Sequence, residues 1–308
     1  MNKPIVSIII PCYNRSDLIP STLNSIKEQT YSDWECIIVD DQSTDAIYEV
    51  ITPFLRDSRF NFFIRNNGRM KGANSCRNIG LEKSIGKYVY WLDSDDILHP
   101  NALEICMDKL QNSNFDFCRF ERSIFVGSFD KKGINNTLSS NGFIVNSSHI
   151  EKLLKNELVF NTCNLLWNKE SIGNQRFNEN IVYADEWEFY SRLLSENLEG
   201  INIDKILIYA RKHIGSTTYE YWNKNPIRLQ SKKEAIRLVT ENLAKKNLLS
   251  ESLVKYLIGL VISFRDYNLL KELFSIMRLK PKNVLFIKFK YYMFPVWKIY
   301  KHISKINK

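Results

Sequence analysis

The sequence predicts an α/β protein with a parallel sheet covered by helices on both faces and a helical, basic C-terminal extension. Three observations support this. Uncharged strand-like runs alternate with helical periodicity over the first 115 residues, the pattern of βαβ units. Two of those runs end in clustered carboxylates, at "VDD" and "LDSDD". From about residue 223 the pattern turns helical and rich in lysine and arginine.

The elements follow in order. "VSIIIP" (6–11) is a continuous apolar run, as in a strand buried on both faces. No small-residue cleavage site follows it, so it reads as a first strand and not a signal peptide. "SDLIPSTLNSIKEQ" (16–29) has helical spacing at Leu18, Ile19, Leu23 and Ile26, with Ser16 the expected N-cap and Pro20 in the first turn. "ECIIVDD" (35–41) is a second buried strand. "STDAIYEVITPFL" (43–55) reads as a helix that Pro53 kinks or ends, and "FNFFIR" (60–65) as a third strand. "GANSCRNIGLEKSIG" (72–86) is a helix bracketed by glycines, "YVYWLD" (88–93) a fourth strand, and "PNALEICMDKLQNS" (100–113) a helix opened by proline. Beyond these, "DFCRFERSIFV" (116–126) alternates like a strand. The stretch 127–142 is polar and rich in turn formers, which predicts a mobile loop, and "DEWEFYSRLLSEN" (185–197) is helical.

Composition narrows the function classes. No run of about 18 apolar residues exists, so no transmembrane helix is expected. Six cysteines at 12, 36, 76, 106, 118 and 163 form no C-x-x-C pair. They read as reduced core thiols of a cytoplasmic protein, not as a zinc site. The net charge of +9 is uneven: residues 205–308 hold 22 Lys+Arg against 6 Asp+Glu, and residues 1–204 hold 21 against 28. An acidic first part and a basic last part imply separate tasks.

The chemistry concentrates where strands end, because open parallel sheets bind ligands beyond their carboxyl edges. Asp93, Asp95 and Asp96 crowd into four positions after an uncharged strand. Carboxylates this close repel one another. A divalent Mn²⁺ or Mg²⁺ bridging them to a substrate diphosphate removes that cost. The glycine-rich phosphate loops G-x-G-x-x-G and G-x-x-x-x-G-K-[ST] are absent, which points away from a dinucleotide fold or a P-loop.

"VSIIIPCYNRSDLIPSTLNSIKEQTYSDWECIIVDDQSTD" together with "GANSCRNIGLEKSIGKYVYWLDSDDILHP" resembles the family 2 glycosyltransferases of the GT-A fold, a Rossmann-like, mostly parallel sheet flanked by helices. The likeness spans about residues 4–115 and continues more weakly to about 218. It implies a catalytic domain over 1–220, with a nucleotide-binding half (1–115) and an acceptor half (116–220), followed by a basic helical region over 221–308. It also implies an inverting transferase that uses a nucleotide-diphosphate sugar, typically a UDP-sugar, and Mn²⁺ or Mg²⁺. Pro11, Tyr13 and Asn14 resemble the family's first nucleotide loop, Asp40 its base-binding carboxylate and Asp41 that residue's neighbour. Arg77 and Asn78 stand at its Arg-Asn pair. Asp93 and Asp95 match its D-x-D motif, with Asp95 the expected direct metal ligand and His213 in "YARKHIGSTT" a further metal ligand or a donor to the diphosphate.

The family's Glu-Asp pair, which supplies the general base, corresponds to Asp185-Glu186 here, in reversed order, so either carboxylate fits the role. Trp167 in "NLLWNKE" resembles an acceptor-pocket tryptophan. The resemblance implies a glycan or lipid-linked saccharide as acceptor, in bacterial surface polysaccharide synthesis. Two other classes fit parts of the pattern: a metal-dependent sugar nucleotidyltransferase, and a non-catalytic basic module for membrane or nucleic acid. The tail 280–308 is lysine-rich, has no acidic residue and interleaves aromatics. It is expected to meet an anionic membrane at the inner face of the cell; nucleic acid is not the expected partner. Neither the oligomeric state nor the donor sugar is legible.

Overall fold

A computed structural model describes residues 4–130, 134, 142–212 and 217–306, with side chains to Pro295. Its first half is built around one apolar strand. β1 (Val6–Cys12) is buried at every position. It is followed by α1 (Ile19–Lys27), β2 (Trp34–Asp40), the short helix α2 (Ile47–Ile51), β3 (Phe60–Ile64), α3 (Ala73–Lys83) and β4 (Tyr88–Trp91). β1 lies between β2 and β4, and all four strands of this half pair in parallel. Because side chains alternate across a strand, β2 serves two cores at once. Cys36 and Ile38 join the large cluster on one face, and Ile37 and Val39 join Cys76 and Ile79 on the other. α3 approaches β1 so closely that a methyl group on Gly80 would sit 2.2 Å from Ile9 Cγ2.

The chain continues through β5 (Ile97–Leu98), α4 (Ala102–Gln111), β6 (Phe117–Phe125), β7 (Gly142–Val145), α5 (Ile150–Leu154), β8 (Leu165–Asn168), α6 (Lys169–Ile172), α7 (Asp185–Leu194), β9 (Gly200–Arg211) and α8 (Thr217–Trp222). The strand order is β3-β2-β1-β4-β8-β6-β9-β5, with β7 on β9. β8 runs antiparallel to both β4 and β6, and so splices the second half onto the first. Parallel pairing still accounts for the larger share of paired positions, through β1–β2, β1–β4, β2–β3 and the long β6–β9 pair. The order reverses direction at β1/β4, a topological switch point where a crevice opens beyond the strand ends.

Several local expectations change. Ser16 does not cap α1; the N-cap is Leu18 without a side-chain bond, and Ser16 N donates to Asp45 instead (2.8 Å). The expected helix over 43–55 is only α2 plus a 3₁₀ turn at Phe54–Arg56, because Pro53 cannot continue the α ladder. Most of the polar stretch 127–142 lies outside the described residues.

The chain forms two compact units, Met1–Ser231 and Lys232–Lys308. The division falls inside α9 (Pro226–Lys245), downstream of the expected boundary at 220. The second unit continues with α10 (Glu251–Phe264), α11 (Tyr267–Ile276) and α12 (Pro281–Ile306). α10 and α11 are capped by Ser250 and Asp266, whose side chains accept from Leu253 N and Leu269 N. Among the described residues no helix is long and apolar enough to cross a membrane. All six cysteines are free and buried.

Candidate active site

The first wall of the crevice joins the ends of β1 and β2. Asn14, at φ 49°, donates its N–H to Ser43 Oγ (2.8 Å), and its Oδ1 accepts from Thr44 N (2.8 Å). Asp40 is buried and accepts from both Ser43 N (2.9 Å) and Ser43 Oγ. Pro11 is buried within β1, whereas Tyr13 is 41% exposed, with Lys71 Nζ 4.2 Å from its ring centre. Asp41 is buried and ion-paired with the equally buried Arg65, which also donates to Asn66 O and Arg69 O. This pair braces the β2–β3 edge.

The second wall is α3. Arg77 is buried and divides its guanidinium between two carboxylates: Nη2 donates to Asp93 Oδ1 (3.0 Å) and Nη1 to Asp185 Oδ2 (3.0 Å). Burial works against the charge, yet Asp93 and Asp185 more than offset it and raise its pKa further. Asn78, the second member of the expected Arg-Asn pair, is bound to the chain itself. It is buried, its Nδ2 donates to Phe177 O (2.9 Å) and Glu179 Oε1 (3.0 Å), and its Oδ1 accepts from Phe177 N (2.9 Å). Its amide is spent holding segment 177–179, as Asn74 holds Asn178 and Ile181. These bonds set the path of the chain into α7.

α7 begins after Ala184, which adopts the left-handed φ of 64°, an uncommon state for a residue with a Cβ. Asp185 and Glu186 follow with different surroundings. Asp185 is paired with Arg77. Glu186 Oε1 accepts from Thr162 N (2.7 Å) and Thr162 Oγ1 (3.0 Å). Burial first, then the neighbouring Asp185 charge, pushes its carboxyl up to about 7. Glu188 turns away and pairs with Arg192 (2.6 Å). Beside these carboxylates Tyr183 stacks on Tyr221 at 4.4 Å, and Trp222, 74% exposed, meets Tyr221 edge-on at 5.5 Å. Sequence reasoning missed this aromatic group; its one signal is "YEYW" just after the histidine-bearing segment.

The carboxylate turn after β4 is tied to the end of β9. Arg211 N donates to Asp96 Oδ1 (3.0 Å) and Arg211 Nε to Asp95 O (3.2 Å). The close group of ligand atoms among the described residues is Asp93, Asp96 and Cys163, all within 4.8 Å of one another; Asp95 is not part of it. Burial and the Asp93 charge hold Asp96 well above the carboxylate range, and burial does the same to the Cys163 thiol. Thiol sulfur is a soft donor and a poor partner for a hard cation, so the partly exposed carboxylates Asp93 and Asp95 are the oxygens that could hold Mn²⁺ or Mg²⁺. Two orphaned buried polar atoms, Asp45 Oδ1 and Arg77 Nε, lie on residues of these walls, consistent with a site completed by a polar ligand. His213 lies outside the described residues.

Trp167, expected as an acceptor contact, lies in the core. It is fully buried in β8, stacked parallel to Tyr190 at 5.8 Å and 4.5 Å from Phe117. Its indole is core and offers no face to a sugar.

A family model for glycosyl transferase family 2 matches residues 7–174. An uncharacterized glycosyltransferase of Rickettsia bellii is 32% identical over 223 residues, covering 71% of this chain and 30% of its own length. The chain spans only 30 to 36% of the first such relatives. The Campylobacter jejuni GalNAc(5)-diNAcBac-PP-undecaprenol beta-1,3-glucosyltransferase is 26% identical over 254 residues, 81% of this chain and 75% of that protein. Among solved structures, S. aureus TarS 1–349 in complex with UDP superposes with a TM-score of 0.67 at 17% identity, covering 91% of this chain and 82% of that one. The mannosyltransferase PcManGT from Pyrobaculum calidifontis, in complex with GDP-Man and Mn²⁺, gives 0.56 at 14% identity, covering 99% and 84%. At these identities the structural likeness is one of fold, the expected GT-A architecture.

Proposed function

We infer the reaction from one premise: the chain belongs to glycosyl transferase family 2. It moves a sugar from a nucleotide-diphosphate donor, a UDP-sugar, to a hydroxyl of a glycan or lipid-linked saccharide, with inversion at the anomeric carbon. The observation that carries this proposal is the Arg77 bridge between Asp93 and Asp185, with Glu186 next in the chain. It brings the carboxylate turn of the nucleotide half within one side chain of the only reversed acid pair that the family pattern assigns to proton transfer.

Each residue then has a task. Asp40, pre-oriented by Ser43, accepts from the nucleobase, and Tyr13, Asn14 and Lys71 flank the nucleotide. Asp93 and Asp95 would hold Mn²⁺ or Mg²⁺, which when bound neutralises charge on the diphosphate. Of the two candidate bases Glu186 is the better placed. Asp185 is occupied by a buried guanidinium, whereas Glu186 titrates near neutrality, where a general base is most effective. Thr162 fixes its orientation. As the acceptor oxygen bonds to the anomeric carbon, the bond to the leaving diphosphate breaks and Glu186 takes the hydroxyl proton. The group Tyr183, Tyr221 and Trp222 supplies the apolar faces against which an acceptor sugar ring packs, the task first expected of Trp167. An acceptor of this kind places the enzyme at the inner face of the cell membrane.

The test is turnover of a panel of nucleotide sugars by the full chain, with Mn²⁺, with Mg²⁺ and with EDTA. Release of nucleoside diphosphate that EDTA abolishes supports the proposal. Release of pyrophosphate or nucleoside monophosphate instead would mean a nucleotidyltransferase or hydrolase.

A further inference from the structure

We propose that one face of α12 is a docking surface for an anionic lipid bilayer, formed by Leu285, Phe286, Phe289, Tyr292 and Met293. The inward side of this helix is set by Tyr291, which is 7% exposed. Its hydroxyl donates to Arg265 O (2.9 Å), the Arg265 guanidinium lies 4.4 Å from its ring centre, and Tyr267 packs against it at 5.3 Å. The other side carries Leu285 at 72% exposure, Phe286 at 58%, Phe289 and Tyr292 at 62% each, and Met293 at 41%. At about 100° per residue these five fall within an arc of roughly 120°, centred on the side away from Tyr291.

Charge identifies the occupant. Lys288 and Lys290 leave the helix on the two flanks of the arc, and Lys290 Nζ sits 4.3 Å from the Phe286 ring centre. Residues 280–308 contain no aspartate or glutamate. Pairing of this face with the same face of a second copy would therefore set lysine against lysine with no carboxylate to answer it. A bilayer satisfies both features together. The apolar side chains enter the acyl boundary while the lysine stems reach back to headgroup phosphates. The helix lies in the plane of the interface and does not cross it. This surface is independent of the transferase chemistry.

The experiment is co-sedimentation of the full chain with phosphatidylglycerol–phosphatidylcholine vesicles and with phosphatidylcholine vesicles, at low and high salt. Wild-type protein should pellet with the anionic vesicles and less so as salt rises. Phe289→Ser with Tyr292→Ser, and separately Lys288→Glu with Lys290→Glu, should each lower binding by more than about tenfold. None of the four is buried, so thermal unfolding should change little; should one variant fail to fold, the other carries the test. Equal binding by wild type and variants, or none by wild type at low salt, overturns the proposal. So does vesicle-free sedimentation showing that the variants abolish self-association, which would assign the face to a second copy.

Discussion

Arg77 and Asp185 stand 108 positions apart in the chain and 3.0 Å apart in space, Nη1 to Oδ2. The same guanidinium holds Asp93 at 3.0 Å, so one buried cation links the carboxylates of both halves. Lysine has a single ammonium and cannot reproduce this planar fork. Arg77→Lys should lower kcat by about a hundredfold or more. Arg77→Met should in addition destabilise the fold, since it removes the buried cation that holds Asp185 and the partly exposed Asp93. Steady-state kinetics and urea unfolding check the two effects.

Glu186→Gln and Asp185→Asn should separate. As the base, Glu186 should cost on the order of a hundredfold or more in kcat when amidated, with donor binding retained. Asp185→Asn should act mainly through Arg77 and shift donor KM as well. Equal, small effects on kcat would place the base elsewhere.

The raised Glu186 pKa has two pH signatures. A base must be deprotonated, so kcat should fall as pH drops through about 7 and level off above it. Stability runs the other way. A carboxyl held above its unfolded value favours the fold at low pH, and that contribution is lost as pH rises from the ordinary range of about 4.5 through about 7. Glu186→Gln should therefore raise Tm relative to wild type at pH 8 and not at pH 4. Matched pH–rate and pH–Tm series test both.

Asp95→Ala should abolish EDTA-sensitive turnover and the Mn²⁺-dependent part of nucleoside diphosphate binding, with Tm unchanged in the absence of ligand. Thermal-shift titrations of nucleotide with and without Mn²⁺ report this directly. Full metal-dependent turnover in that variant would remove Asp95 from the site.

Trp167 should behave as a core residue and Trp222 as an acceptor contact. Trp167→Ala should destabilise the domain by about 3–5 kcal/mol as a core truncation, while Trp167→Phe should cost far less. Trp222→Ala should leave stability and donor hydrolysis near wild type and raise the KM for acceptor. Denaturation midpoints and acceptor-dependent kinetics distinguish the two.

The nucleotide half was legible because its signals are local. β1, β2 and β4 are dominated by apolar residues, the composition favoured in a strand buried on both faces. The acceptor half was harder. β9 runs for 12 residues with both exposed and buried positions, and β7 and β8 have four each. Strands this short, or this mixed, carry little periodicity of their own, and their pairing is decided by partners far away in sequence.

Residue types and spacings alone established the family pattern, the carboxylates at the strand ends and the basic, acid-free tail, since each is a matter of local composition. Which partners those side chains take was decided by tertiary structure. Asp41 and Asn78 sit inside matching motifs, yet Arg65 and the 177–179 segment consume them. Trp167 went to the core, while Tyr221 came to stack on Tyr183, two positions before the acid pair. Asp185 and Glu186 are adjacent and chemically alike, but a buried guanidinium 108 positions upstream claims one and leaves the other near neutrality. Burial and charge pairing depend on what the fold brings alongside, and a linear chain does not carry that information locally.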